Sequence, residues 1–202
     1  MKVLLSVDGA ATGAENMRKD LALLDRCFDD TILMRFYSWN PYCISLGANQ
    51  DQGVLDSALL QQQGYEAVKR PTGGRAILHA EEITYAITVK LAKAITPMQV
   101  YRETHLALKR GLAKYDPRLD AVDFEQHQPD FLAFYKTAPG AACFASTARS
   151  ELTYDGKKLV GSAQKKIGDK VLQHGSILCG GLHKEIVQYL RCPEEEKAAV
   201  KR

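Results

Sequence analysis

Asp155-Gly156 and Gly168-Asp169 each stand between two strand-like runs, and no other feature restricts the fold of this chain as tightly. Asp-Gly in that setting is a strong local hairpin signal. The runs at 150–154, 157–167 and 171–178 are therefore expected to be three antiparallel strands, a β-meander. Strands that pair with their sequence neighbours, mixed with helices, indicate an α+β fold rather than a doubly wound sheet.

Upstream, Thr12-Gly-Ala-Glu15 fits a capping box, and Met17, Leu21, Leu24 and Phe28 recur at helical spacing, predicting a helix over 14–28. Two β-rich runs, 31–37 and 42–46, are separated by the turn-like Ser38-Trp-Asn-Pro41. A short helix over 54–63 ends at Gly64. Short strands at 65–69 and 76–79 flank a glycine-bearing turn, and a longer strand follows at 83–91. Thr96-Pro-Met-Gln99 offers a capping threonine, proline at the first helical position and glutamine at the third. That helix should run to 115, where Asp116-Pro117 stops it. Residues 118–140 read largely as loop, 183–190 as a short closing helix and 194–202 as a charged, frayed tail.

With 202 residues, 46% apolar and 25% charged, the chain can bury one sizeable core, and its apolar segments run nearly end to end. A single domain over 1–202 is expected. The net charge of +3 is no nucleic-acid signature, though it permits an acidic protein partner. Lys2 is followed only by Val3–Val7 before Asp8, too short for a secretory signal. No stretch approaches the roughly 20 apolar residues of a membrane span. A cytoplasmic protein is expected. Five scattered cysteines (Cys27, Cys43, Cys143, Cys179, Cys192) without a C-x-x-C pair point to neither a disulfide framework nor a zinc site.

Three segments can carry chemistry. Arg70-Pro-Thr72-Gly73-Gly74-Arg75 joins two glycines, which let backbone approach a ligand, to arginines that suit a carboxylate or phosphate. By itself it equally describes a Pro/Gly hairpin turn with solvated arginines. It is neither a Walker loop nor a dinucleotide fingerprint. Along 156–164, period-2 alternation puts Lys158, Val160, Ser162 and Gln164 on one strand face, and Leu159, Gly161 and Ala163 on the other. Gly161 and Ala163 leave room for something to lie against them. A lysine aimed into a closed apolar cleft stabilises an electrophile, whereas one on an exposed hairpin tip is merely solvated. Cys143 sits among small residues, Pro139-Gly-Ala-Ala-Cys143-Phe-Ala-Ser146, which leave a thiol accessible. A nearby ammonium would make it a nucleophile, and His79, His127 and His174 are candidate bases. Alternatively, Cys143 is a small buried hydrophobe.

Taken together, the segments resemble the lipoate–biotin protein ligase-like superfamily over nearly the whole chain. The resemblance rests on Asn16-Met17 and Asp20, on Phe36-Tyr-Ser-Trp-Asn-Pro41, and on Ser45-Leu-Gly47. It rests also on Arg70-Pro-Thr-Gly-Gly-Arg-Ala-Ile-Leu-His79, on Lys158-Leu-Val-Gly-Ser-Ala-Gln164, and on Gln173-His-Gly-Ser176. It implies a biotinyl/lipoyl protein transferase-type fold, with mixed sheets flanked by helices. Arg70, Thr72, Gly73, Gly74, His79, Gly161, Ser162 and Ala163 would shape the acyl pocket, and Lys158 would contact the acyl carbonyl. One departure is visible. The residue after the motif histidine is often aspartate, whereas here Ala80 is followed by Glu81 and Glu82, either of which could substitute.

Within the superfamily, Ala-Cys143-Phe-Ala-Ser, Glu151-Leu and Gly156-Lys-Lys158 look most like the cysteine-dependent octanoyltransferases of lipoate biosynthesis. The Gly-Arg-Gly-Arg type motif of biotin ligases does not occur. The resemblance implies octanoyl transfer from acyl carrier protein, through a Cys143 thioester, to a lysine of a lipoyl carrier domain such as the glycine cleavage H protein. No cofactor and no metal are implied, and Lys165, Lys166 and Lys170 are either a docking surface for the acidic carrier or simply a solvated strand edge. Two alternatives stand beside it: an ATP-dependent lipoate ligase, whose accessory domain would find no room after Arg202, and a non-catalytic acyl- or carrier-binding protein.

Overall fold

The computed structural model describes residues 1–92, 95–125 and 151–191. The meander forms as its turns require: β8 (Leu152–Tyr154), β9 (Lys157–Ile167) and β10 (Lys170–Leu178) pair antiparallel in succession. Asp155 and Gly156 have φ of 50° and 66°, the two left-handed positions of a type I′ turn, and Gly168 has φ 62°.

The meander joins a seven-stranded sheet with β1 (Lys2–Ala11), β2 (Thr31–Trp39), β6 (Glu82–Lys90) and β7 (Asp123–Phe124), in the order β1-β2-β6-β10-β9-β8-β7. A second sheet holds β3 (Cys43–Leu46) between β4 (Glu66–Lys69) and β5 (Ile77–His79). The β1–β2 and β3–β4 pairs are parallel and the remaining pairs antiparallel, so the sheets are mixed as expected. β1 was not foreseen as a strand. Val3, Leu5 and Val7 are all more than half exposed, so no burial pattern marks it, and only pairing with β2 makes it regular.

Caps decide the helices. α1 (Gly13–Asp25) starts where Thr12 accepts a hydrogen bond from the Glu15 N–H, but ends before the expected 28. Phe28 is 67% exposed, so burial rewards no further turn. The segment expected as one helix over 54–63 is two elements. Asp51 caps a 3-10 turn (Gln52–Val54), and Asp56 caps α2 (Ser57–Gln63), which ends at Gly64 with φ 68°. α3 (Pro97–Tyr115) matches its expected span, with the Thr96–Gln99 capping box formed in both directions. The closing segment Leu182–Tyr189 is 3-10 rather than α-helix. No helix among the described residues is long and apolar enough to cross a membrane.

Among the described residues, three apolar clusters set the layers. One lies between α3 and the large sheet, around Tyr85, Val100, Leu108, Leu152, Val160 and Val171. A second packs the small sheet on α2 and the closing 3-10 segment. The third, Met17, Tyr37, Trp39, Cys43 and Ala86, joins α1 to both sheets and leaves a cleft between them.

Candidate active site

Strand alternation puts Gly161 and Ala163 of β9, His174 and Ser176 of β10 and Thr84 of β6 on the face opposite α3. They line a cleft with Met17, Tyr37, Trp39, Ser45, Arg70, Ile77 and His79, enclosing about 300 Å³ with its mouth included. Of the expected pocket residues, Arg70, His79, Gly161 and Ala163 are therefore brought together. Thr72, Gly73, Gly74 and Ser162 are not among the lining residues. The Ser162 hydroxyl points to the α3 side, 2.7 Å from the Tyr85 hydroxyl and 2.8 Å from His105 Nε2. Burial pushes the Tyr85 phenol up to about 12, so it stays protonated there.

Arg70 organises the glycine turn and is 3% exposed. Its guanidinium donates to the carbonyls of Ser45 (2.8 Å), Gly73 (2.9 Å) and Arg75 (2.6 Å), and to the Ser45 hydroxyl (3.1 Å). The solvated arginine of the plain-hairpin reading is thus excluded for Arg70. Gly74 has φ 89°, which glycine alone adopts without cost. Its carbonyl lies where a side chain on Gly47 would be, 1.9 Å from an added Cβ, whereas one on Gly73 would meet nothing within 4 Å. Gly47→Ala is accordingly expected to cost about 3 kcal/mol and Gly73→Ala well under 1 kcal/mol. Equal losses in chemical denaturation would contradict this packing of the turn.

Two hydroxyl–imidazole–carboxylate chains border the cleft. In one, His79 Nδ1 lies 2.7 Å from Glu82 Oε1 and Nε2 lies 2.7 Å from the Ser45 hydroxyl. A carboxylate only accepts, so Nδ1 donates to Glu82, while the Ser45 hydroxyl lies within hydrogen-bond distance of Nε2. Trp39 stacks on the ring at 4.1 Å and donates to Thr84 at 2.6 Å; Thr84 and Ser176 in turn donate to Glu82 Oε1. Of the two glutamates after Ala80, Glu82 thus serves the motif histidine. Glu81 turns away at φ 48° and accepts from the Leu182 N–H.

In the other chain, the Thr72 hydroxyl meets His174 Nε2 at 2.6 Å, and His174 Nδ1 meets Asp20 Oδ2 at 2.9 Å. Thr72 thereby ties the glycine turn to the large sheet. Asp20 also accepts from Arg35 (2.8 Å) and Tyr37 (2.9 Å). Burial, then the Asp20 charge, push the Tyr37 phenol well above its ordinary range and keep it a donor. Arg35 is 1% exposed, and the signal for it in the sequence is a lone charge inside the apolar run Ile32-Leu-Met-Arg-Phe36.

Lys158 required a correction to strict alternation. Leu152 pairs with Val160 but Thr153 pairs with Lys158, so β9 carries one extra residue, a β-bulge. Leu159 and Val160 both pack with the cluster under α3. Lys158 instead shares the face of Gly161 and Ala163, not that of Ser162 and Gln164. Its ammonium lies 2.8 Å from Glu151 Oε2, with both side chains buried. Cys143 and His127 lie outside the described residues.

The buried glycine turn thus faces the small-residue strand β9, whose bulge sets Lys158 on the same face as Gly161 and Ala163. The chain matches the lipoyl protein ligase A/B catalytic domain over residues 12–202, and it belongs to that family. Among its relatives, the octanoyltransferase LipM of Kyrpidia tusciae is 37% identical over 196 residues, spanning 93% of this chain and 69% of that protein. The LipM of Lysinibacillus sphaericus is 34% identical, spanning 84% and 63% respectively. The chain spans from 59% to 69% of the length of such relatives. The same fold occurs in a bipartite lipoate protein ligase from Thermoplasma acidophilum, with a TM-score of 0.71 at 17% identity over 100% of this chain and 73% of that one. It also occurs in an ATP-bound lipoate-protein ligase A, with a TM-score of 0.69 at 17% identity over 97% and 73%.

Proposed function

We propose that this chain is an octanoyltransferase of lipoate biosynthesis. It takes an octanoyl group from acyl carrier protein and delivers it, through a thioester on Cys143, to a lysine of a lipoyl carrier domain such as the glycine cleavage H protein. The observation that carries this reading is the 37% identity to an octanoyltransferase LipM across 93% of the chain.

In this reaction the Cys143 thiolate attacks the thioester carbonyl of the donor, and collapse of the tetrahedral intermediate releases the carrier thiolate. The acceptor lysine amine then attacks the acyl-cysteine, expelling Cys143 and leaving an amide. A thioester exchanges with a thiol near thermoneutrality, so no nucleotide is consumed. Lys158 stabilises the thiolate and the oxyanion of both steps, and the cleft floored by Gly161 and Ala163 takes the alkyl chain. Lys165 and Lys166 are exposed on β9 and suit an acidic carrier, while Lys170 donates to the Leu24 carbonyl. This reading places the reaction in the cytoplasm.

The test is incubation with octanoyl-acyl carrier protein without ATP, followed by intact mass. The expected result is a gain of one octanoyl group that hydroxylamine removes. Modification only with ATP and free acid would replace this reading with a ligase, and acyl binding without any covalent gain would replace it with a binding protein.

A further inference from the structure

We infer that Glu151 is a positioning residue for acyl transfer, holding the Lys158 ammonium in the orientation the reaction uses. The inference rests on the reading of Lys158 given under Proposed function.

The bulge between β8 and β9 delivers only the backbone of Lys158 to the cleft face. Beyond it lie four methylene carbons whose ordering costs conformational entropy. An ammonium is a point charge with no directional fork, so something else must fix where it sits. Glu151 is placed to do so. It lies just before β8 and two residues from Thr153, the cross-strand partner of Lys158, so alternation puts both on the same face. Its carbonyl accepts from the Glu125 N–H at 2.8 Å, which anchors its backbone beyond the end of β7. Its carboxylate meets the ammonium at 2.8 Å, with only 4% and 6% of the two side chains exposed.

Away from water such a pair is held in one geometry, and each charge is costly without the other. The carboxylate engages one of the ammonium's three N–H donors and so orients the set. A positive charge oriented before the tetrahedral oxyanion forms needs no reorganisation when it does form. Glu151 touches neither the reacting carbonyl nor the thiol in this scheme and acts through Lys158.

A double-mutant cycle separates this role from simple support of the fold. Glu151→Gln, Lys158→Met and the double variant are compared for single-turnover acylation by octanoyl-acyl carrier protein, with thermal melting of each. Glu151→Gln is expected to slow acylation on the order of a hundredfold, with half-saturation by the donor unchanged. In the Lys158→Met background the same change is expected to slow it no further. Glu151→Asp, which keeps the charge but draws it back, is expected to recover only part of the rate, and it stands in if Glu151→Gln does not fold. A slow Lys158→Met with Glu151→Gln at full speed, or with equal losses in both backgrounds, overturns the inference and leaves the role of Lys158 intact. Full acylation by Lys158→Met overturns the role of Lys158 and this inference with it.

Discussion

Asp20→Ala is expected to cost about 3–5 kcal/mol, the loss seen when one member of a buried ion pair is removed. Asp20 is fully buried and answers three donors at once: Arg35 at 2.8 Å, Tyr37 at 2.9 Å and His174 at 2.9 Å. Arg35 would keep Asp8 at 3.0 Å and Asn16 at 2.9 Å, but Asp8 lies toward the surface and cannot replace a carboxylate beneath α1. The freed imidazole of His174 would also lose the orientation that presents Nε2 to Thr72, loosening the glycine turn from the large sheet. For a chain of this size the loss corresponds to a fall in melting temperature of roughly 6–20 °C. Asp20→Asn keeps the shape and an acceptor for Arg35 but places an amide donor against other donors, so an intermediate loss is expected. A change below 1 kcal/mol for Asp20→Ala in chemical denaturation would refute the account of this cluster.

Cys143→Ala is expected to lower octanoyl transfer from acyl carrier protein by a thousandfold or more, on the order of what removing a covalent nucleophile costs. Without the thiol, the acceptor amine must attack the carrier thioester directly, and both carriers must occupy the cleft together. The proposed two-step route would avoid that ternary encounter by holding the acyl group on the enzyme between visits. Melting should be little changed, since Cys→Ala removes only the sulfur atom. Steady-state transfer and intact mass read the two halves of the expectation. Normal transfer by Cys143→Ala would end the thioester mechanism, and lipoate- and ATP-dependent modification insensitive to the substitution would favour the ligase reading.

What the sequence by itself determined was local. The Thr96–Gln99 capping box and the Asp116-Pro117 stop are decided within a few residues, and α3 begins and ends where they require. The Asp155-Gly156 turn and the helix-ending Gly64 likewise need only their own left-handed dihedrals. The segments from Arg70 to His79 and from Lys158 to Gln164 stood out only through their resemblance to a family, since each taken singly also fits an ordinary glycine turn or an exposed basic hairpin.

Tertiary structure decided which way those residues face. Strict alternation set Lys158 beside Val160 and Ser162, and only the pairing of β9 with β8 reveals the bulge that turns it to the face of Gly161 and Ala163. Whether Glu81 or Glu82 serves His79 depended on the backbone at Ala80, where Glu81 takes a positive φ and Glu82 starts β6. Asp20, Arg35 and His174 lie up to 154 residues apart, and β1 is regular only because β2 lies beside it. Caps and turns are satisfied by neighbours in the chain, whereas a buried charge or an edge strand is satisfied by whatever the fold brings to it.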